Sequence, residues 1–399
     1  VGHEIGSLLP ERLASFEENA ESWPALRDAF LMEDGEFPEQ GDILERPELA
    51  QLLLSIAENG PEAFYEGEIA DAIVEAVQQH GGILSQDDLR SVSATWEEPI
   101  TVDFEGRTMV GMGLPSSGGI VMGMVLKALS HFHLDRVRPL SPIWIHVVTE
   151  MMIHAFADRA HAMGDAEFVD QGPAYFLSEE RIGEMVSAYR PTTTLEPRAY
   201  GPLIGTDDDA GTSHFSIVDP EGNAVSVTTT INTSFGSYVY VPEAGIVLNN
   251  EMNDFSAQPG VPNAFGLVGS EANAIEPGKQ PLSSMSPTLI LEDGEVIGAL
   301  GGSGGPKIIS GTLLTLLHLT QGAASTEAAI EYPRFHHQWM PDELEVDTDI
   351  EEMMSRSLAA YGYTVVPARW SASVQAIWRR GDVWDASSDS AKHGEPAGF

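Results

Sequence analysis

Apolar positions recur three and four residues apart from Pro47 to about His80. They do so first in PELAQLLLSIAENG, which stops at Gly60, then in PEAFYEGEIADAIVEAVQQHGG, which stops at Gly81-Gly82. Proline at the start and glycine at the end punctuate helices, so this region predicts two amphipathic helices. Residues 96–113, WEEPITVDFEGRTMVGMG, alternate instead and predict a hairpin turning at Glu105-Gly106. LPSSGGI then leads into an apolar helix over about 121–132, and a further helix runs over about 143–163. Between 191 and 210, PTTTLEPRAYGPLIGTDDDA loses all periodicity and reads as an exposed connector. Strand character starts at Thr212: residues 212–218 and 224–230 predict two strands joined by the Pro220-Glu221-Gly222-Asn223 turn. Residues 212–250 and 286–301 read as strand-rich, 251–285 as a long loop, and 307–321 as a buried helix. The tail alternates short strands with a helix near 351–361, and no repeat at solenoid spacing is visible.

Composition narrows the function. With 399 residues, 42% of them hydrophobic, the chain can bury a substantial core. A formal charge of −41, from 61 acidic and 20 basic residues, argues against nucleic acid as a partner, because phosphates would be repelled over most of the surface. Only four lysines occur (Lys127, Lys279, Lys307, Lys392), a pattern compatible with a salt-rich habitat as well as with ordinary solubility. No apolar run reaches the roughly 18 to 20 residues of a membrane span. The opening VGHEIGSLLPERL, without a basic leader or apolar core, is not expected to be a signal peptide. The chain has no cysteine, so any nucleophile is an oxygen or a nitrogen. His154, Asp158 and His161 share a helix face at metal-ligand spacing, but a helix-face hydrogen-bond network gives the same pattern, and no metal is expected.

Four segments carry candidate chemistry. In DDDAGTSHFSIVDPEGNAVS an acidic loop ends at Gly211 and turns at once into a strand at Thr212. Were the chain cut there, the free amine of Thr212, with a pKa near roughly 7.7 to 8.0, could take the proton of its own hydroxyl. Glycine before it tolerates the backbone distortion that attack on its carbonyl requires. GGSGGPKI, residues 301–308, joins a strand to a helix, where backbone amides can stabilise an oxyanion. It lacks the Gly-Lys-Ser/Thr of a phosphate loop. In LNNEMNDFS, Glu251 and Asp254 can hold a cationic amine, and in PLSSMSP, Ser283 and Ser284 can donate to a carboxylate. Each segment alone also reads as a solvated loop.

Taken in order, GTSHFSIVDPEGNAVSVTTTINTSFGS, GIVLNNEMNDFSAQPGVPNAFGLVG, PLSSMSPTLI, GGSGGPKII and YPRFHHQWMPDEL resemble the small subunit of γ-glutamyltranspeptidases, members of the N-terminal nucleophile hydrolases. GPEAFYEGEIADAI, HGGILSQDDL, LPSSGGI and AFADRAHAMGD resemble the C-terminal part of that family's large subunit. The resemblance implies an α/β fold, an αββα four-layer sandwich, from a precursor that cuts itself between Gly211 and Thr212. Residues 1–211 would then be large-subunit sequence and 212–399 the small subunit, and the two would stay packed together. It implies Thr212 as nucleophile and Thr230 as the residue that orients it. Asn232, Glu251 and Asp254 would hold the donor's α-amine, Ser283 and Ser284 its α-carboxylate, and Gly304 and Gly305 the oxyanion. Phe265 stands where some bacterial members carry a lid tyrosine, which predicts a looser lid. The family's carboxylate-binding arginine falls in a region before this chain.

The reaction so implied is γ-glutamyl transfer from glutathione and related amides to water or to an amino acid or peptide, without cofactor or metal, in the periplasm or outside the cell. The alternatives are a glutaryl-type acylase, a poly-γ-glutamate hydrolase, or an uncleaved, non-catalytic homologue. Paired carboxylates at Glu251 and Asp254 favour a donor that carries a free amine.

Overall fold

The alternation in residues 96–113 does close into a hairpin. In a computed structural model that describes residues 2–201, 211–256, 269–368, 371–392 and 394–398, β1 (Ile100–Phe104) pairs antiparallel with β2 (Arg107–Gly111). Glu105 and Gly106 both take positive φ, 48° and 80°, the tight turn whose twist matches that of its strands. Beyond it come α1 (Gly118–Leu129) and α2 (Pro142–Ala162), then a second hairpin of β3 (Thr212–Val218) and β4 (Ala224–Thr230). A third hairpin, β5 (Thr288–Glu292) and β6 (Glu295–Ser303), turns at Asp293 and Gly294, again both at positive φ. Helix α3 (Lys307–Thr320) and the strands β7 (Ser373–Arg380) and β8 (Val383–Ser388) follow.

Six of these strands form one antiparallel sheet in the order β8-β7-β6-β5-β2-β1. Helices α1, α2 and α3 cover one face, packing Met122, Leu126, Ile153 and Leu313 with Leu300 and Val374 of the sheet. Neighbouring residues on a strand face opposite ways. Leu300 therefore looks into the helical layer, while Gly301 looks out at the β3–β4 hairpin. A Cβ at Gly301 would run into the His214 ring, so glycine sets how closely the hairpin approaches. Helices, sheet and hairpin are three successive layers. They lie within one compact unit, Glu97–Thr230 with Glu251–Phe399.

Helix α2 is buried nearly all round, so its polar groups must find partners inside. Glu150 accepts from Tyr200 and Tyr363, each at 2.8 Å, and His146 meets the Tyr363 hydroxyl at 2.7 Å. The histidine and aspartate spacing resolves as separate packing contacts: Asp158 accepts from Arg181 at 2.6 Å, His154 packs edge-on to Tyr200 and His161 to Trp339.

The other compact unit is Val1–Trp96 with Ile231–Asn250. Its two predicted helices are Pro47–Asn59 and Gly67–Gln79, and the second packs Ala70 and Ile73 with Val241 and Ala244. A separate aromatic cluster gathers Phe16, Phe30 and Phe235. The expected strand run over 212–250 holds only as far as Thr230. Asn232, Gly236 and Tyr238 adopt positive φ, which breaks extended backbone, and only Tyr240–Val241 and Ile246–Val247 pair beyond it.

Candidate active site

Thr212 opens β3 and sits opposite Thr230, the last residue of β4, so the hairpin register itself brings the two side chains together. Their hydroxyl oxygens are 3.0 Å apart, and Thr212 is only 6% exposed. The Thr230 hydroxyl also reaches the Gly211 carbonyl oxygen at a long 3.5 Å. One hydroxyl thus faces both the side chain and the carbonyl of the Gly211-Thr212 link. Two residues on, His214 lies between Thr228 Oγ1 at 2.8 Å and Ser216 Oγ at 3.1 Å. Burial lowers its pKa to about 4, so the ring is neutral and serves as a wedge between hairpin and sheet.

The hairpin is stitched to its surroundings through Ser226 on β4. Its hydroxyl donates to the Leu300 carbonyl at 3.0 Å and accepts from the Thr288 amide at 3.1 Å. Gly304 and Gly305, at φ of 132° and 49°, connect β6 to α3 in a conformation that side chains rarely adopt. The Gly304 carbonyl accepts from the Lys307 amide at 3.0 Å and so points into the first turn of α3. In a trans peptide the next N–H points the opposite way, so the Gly305 amide faces away from the helix.

Ser283 and Ser284 form the second part of the site, in one unit with the hairpin. Ser283 bridges to Ser116 of the LPSSGGI loop, and a Cβ at Gly118 would collide with Ser286. The Ser283 hydroxyl oxygen accepts from the Met285 amide at 3.1 Å, and that of Ser284 accepts from Arg159 Nη2 at 3.1 Å. With their oxygens serving as acceptors, both hydroxyls keep an O–H to donate. Glu251 and Asp254 begin and end a short helical turn. Burial raises the Glu251 pKa, and a hydrogen bond with Asp254 opposes the rise. Asn232 belongs to the other compact unit, where its side-chain amide donates to the Asn250 carbonyl at 3.2 Å. Phe265 lies outside the described residues.

Two residues without a role in the sequence reading stand in this site. Arg159, on α2, is 3% exposed, and burial lowers its pKa to about 10 against the opposing field of Asp254. Lys392, in the tail, donates to the Thr212 carbonyl at 2.9 Å. Each of the four lysines has a specific partner, Lys127 with Glu179, Lys279 with Glu276, Lys307 with Glu345 and Lys392 with Thr212.

A family model described as Gamma-glutamyltranspeptidase matches residues 1–399. The glutathione hydrolase proenzyme of Escherichia coli is 36% identical over 379 residues, covering 93% of this chain and 64% of the relative. The glutathione hydrolase proenzyme of Pseudomonas aeruginosa is 38% identical over 360 residues, covering 89% of this chain and 64% of the relative. The chain therefore spans just under two thirds of the length of these relatives. Among solved structures, the cephalosporin acylase from Bacillus halodurans superposes with a TM-score of 0.82 over 98% of this chain and 70% of its own, at 22% identity. That likeness shows the fold, of the N-terminal nucleophile hydrolase type.

Proposed function

This chain belongs to the gamma-glutamyltranspeptidase family, and from that premise we propose that it is a γ-glutamyl hydrolase or transferase acting on glutathione and related γ-glutamyl amides. The observation that carries the reading is the hydroxyl pair of Thr212 and Thr230 at the mouth of one hairpin, with Gly211 beside it.

Maturation comes first. The Thr212 hydroxyl oxygen attacks the Gly211 carbonyl carbon, the C–N bond breaks as the nitrogen takes up a proton, and water hydrolyses the resulting ester. Residues 1–211 end in a carboxylate and residues 212–399 begin with an amine. Thr230 orients the attacking oxygen and polarises the carbonyl. Lys392, bonded to the Thr212 carbonyl, keeps the new N-terminus in register.

Turnover reuses the same atoms. The Thr212 amine takes the hydroxyl proton as the oxygen attacks the γ-amide carbon, and the Gly304 and Gly305 amides hold the oxyanion. The leaving amine receives the proton, and water or an acceptor amine then releases the γ-glutamyl ester. Glu251 and Asp254 hold the donor's ammonium group, and Ser283 and Ser284 its carboxylate. Two carboxylates favour this donor over a glutaryl amide, which lacks an amine for them to bind. No helix among the described residues is long and apolar enough to cross a membrane. We assign the protein to the periplasm or the exterior, as a cleaved pair of subunits.

Intact mass under denaturing conditions tests the proposal. Cleavage is expected to release a fragment of about 20 kDa beginning at Thr212. A single uncut chain after incubation near neutral pH would leave the fold and remove the enzyme.

A further inference from the structure

Arg159 is a guanidinium buried in the helical layer, 3% exposed, whose hydrogen-bond partners are two serine hydroxyls. Its Nε donates to Ser117 Oγ at 2.9 Å and its Nη2 to Ser284 Oγ at 3.1 Å. Ser117 Oγ in turn donates to the Ser283 carbonyl at 2.7 Å, and the Ser117 amide donates to the same carbonyl at 2.9 Å. Among the described residues no carboxylate is in ion-pair contact with it. Asp254 acts on it only through its field. A buried cation without a bonded anion costs several kcal/mol, a cost that a bound anion would offset.

The direction of the bonds matters as much as the charge. Ser284 accepts from Arg159, so its own O–H must point elsewhere. Ser283 accepts from the Met285 amide, and its O–H is likewise left to donate. Both hydroxyls are thus set as donors by the protein, beside a buried positive charge, and a carboxylate is the ligand that takes two O–H donors and a cation's field together.

We infer that Arg159, acting through Ser117 and Ser284, is the positioning residue that turns Ser283 and Ser284 into a carboxylate site and sets the specificity for donors with a free α-carboxylate. This rests on the function proposed above. Arg159 does not touch the reacting amide, so its loss is felt in binding, and cleavage at Gly211-Thr212 does not require it.

The test compares two donors in the full-length protein, a γ-glutamyl anilide and the same anilide with its α-carboxylate converted to a carboxamide. In the wild type the conversion is expected to raise KM by about ten- to a hundredfold, the size of a charge-assisted contact. In Arg159→Met the two donors are expected to show nearly equal KM, with kcat changed only a few-fold. Arg159→Lys is expected to restore part of the difference, and Ser117→Ala to reduce it. Arg159→Met that keeps the full preference, or loses kcat equally on both donors at unchanged KM, overturns the inference. If Arg159→Met does not fold, an undiminished preference in Ser117→Ala and in Arg159→Lys overturns it instead. Calorimetric titration with L-glutamate separates the two levels. A protein that binds glutamate through Arg159 but turns over neither anilide keeps this assignment and loses the proposed reaction.

Discussion

The Thr212–Thr230 hairpin and the serine-arginine cluster solve the same problem, fixing hydroxyl groups in space, by opposite means. In the hairpin, Thr212 and Thr230 are 18 residues apart and meet because antiparallel register puts them opposite each other. In the cluster, Ser117, Arg159 and Ser284 come from a loop, a helix interior and another loop, with 42 and 125 residues between the bonded partners. Local register can be read from alternation and a turn. A contact across such distances exists only once the helical layer has packed, and it leaves no periodic trace. Under the proposed function their tasks also separate: the hairpin would carry bond making and breaking, and the serine-arginine cluster recognition.

The sharpest way to break this division is to disable each side alone. Thr212→Ala is expected to abolish self-cleavage and to reduce turnover by about ten-thousandfold or more, read by mass and by anilide release. Arg159→Met is expected to leave cleavage intact and to cost only binding. If both variants failed in the same assay, the division would be wrong.

Smaller effects refine each side. Thr230→Val keeps the shape and removes the hydroxyl. It is expected to slow cleavage and kcat by about a hundredfold, as loss of one positioned donor does, without changing L-glutamate affinity. Gly301→Ala pushes a methyl into the His214 ring and is expected to destabilise the protein by ~1–3 kcal/mol, seen in a denaturant melt, while the cluster on α2 is unaffected.

Acid acts on both regions through buried histidines. Burial holds His154, His214 and His318 near a pKa of about 4, below the 6.5 of an exposed ring. The unfolded chain therefore binds more protons below pH 6.5, and stability is lost as pH falls from about 6.5 toward 4, by up to ~3 kcal/mol for each ring. Melting temperature against pH checks this, and His214→Asn is expected to flatten part of the slope.

Much of this was legible before any coordinates. The helices at 47–59, 67–79 and 307–320 and the hairpins at 100–111 and 212–230 announce themselves through period and punctuation. Segment 231–250 reads as strand because alternating Thr, Asn and Ser resemble an edge strand, whereas positive φ at Asn232 and Tyr238 bends the chain away. No sequence pattern marks Arg159, because its surroundings depend on which hydroxyls the fold brings to it. Lys392 is likewise unmarked, because the polar tail around it has no pattern.

In the proposed mechanism Thr212 forms the ester. This is tested by quenching the protein in acid during turnover of a γ-glutamyl anilide and mapping the mass of its peptides. The peptide beginning at Thr212 is expected to gain one γ-glutamyl group, which alkaline hydroxylamine removes. An unmodified Thr212 peptide during steady turnover, or the group on any other residue, would contradict it.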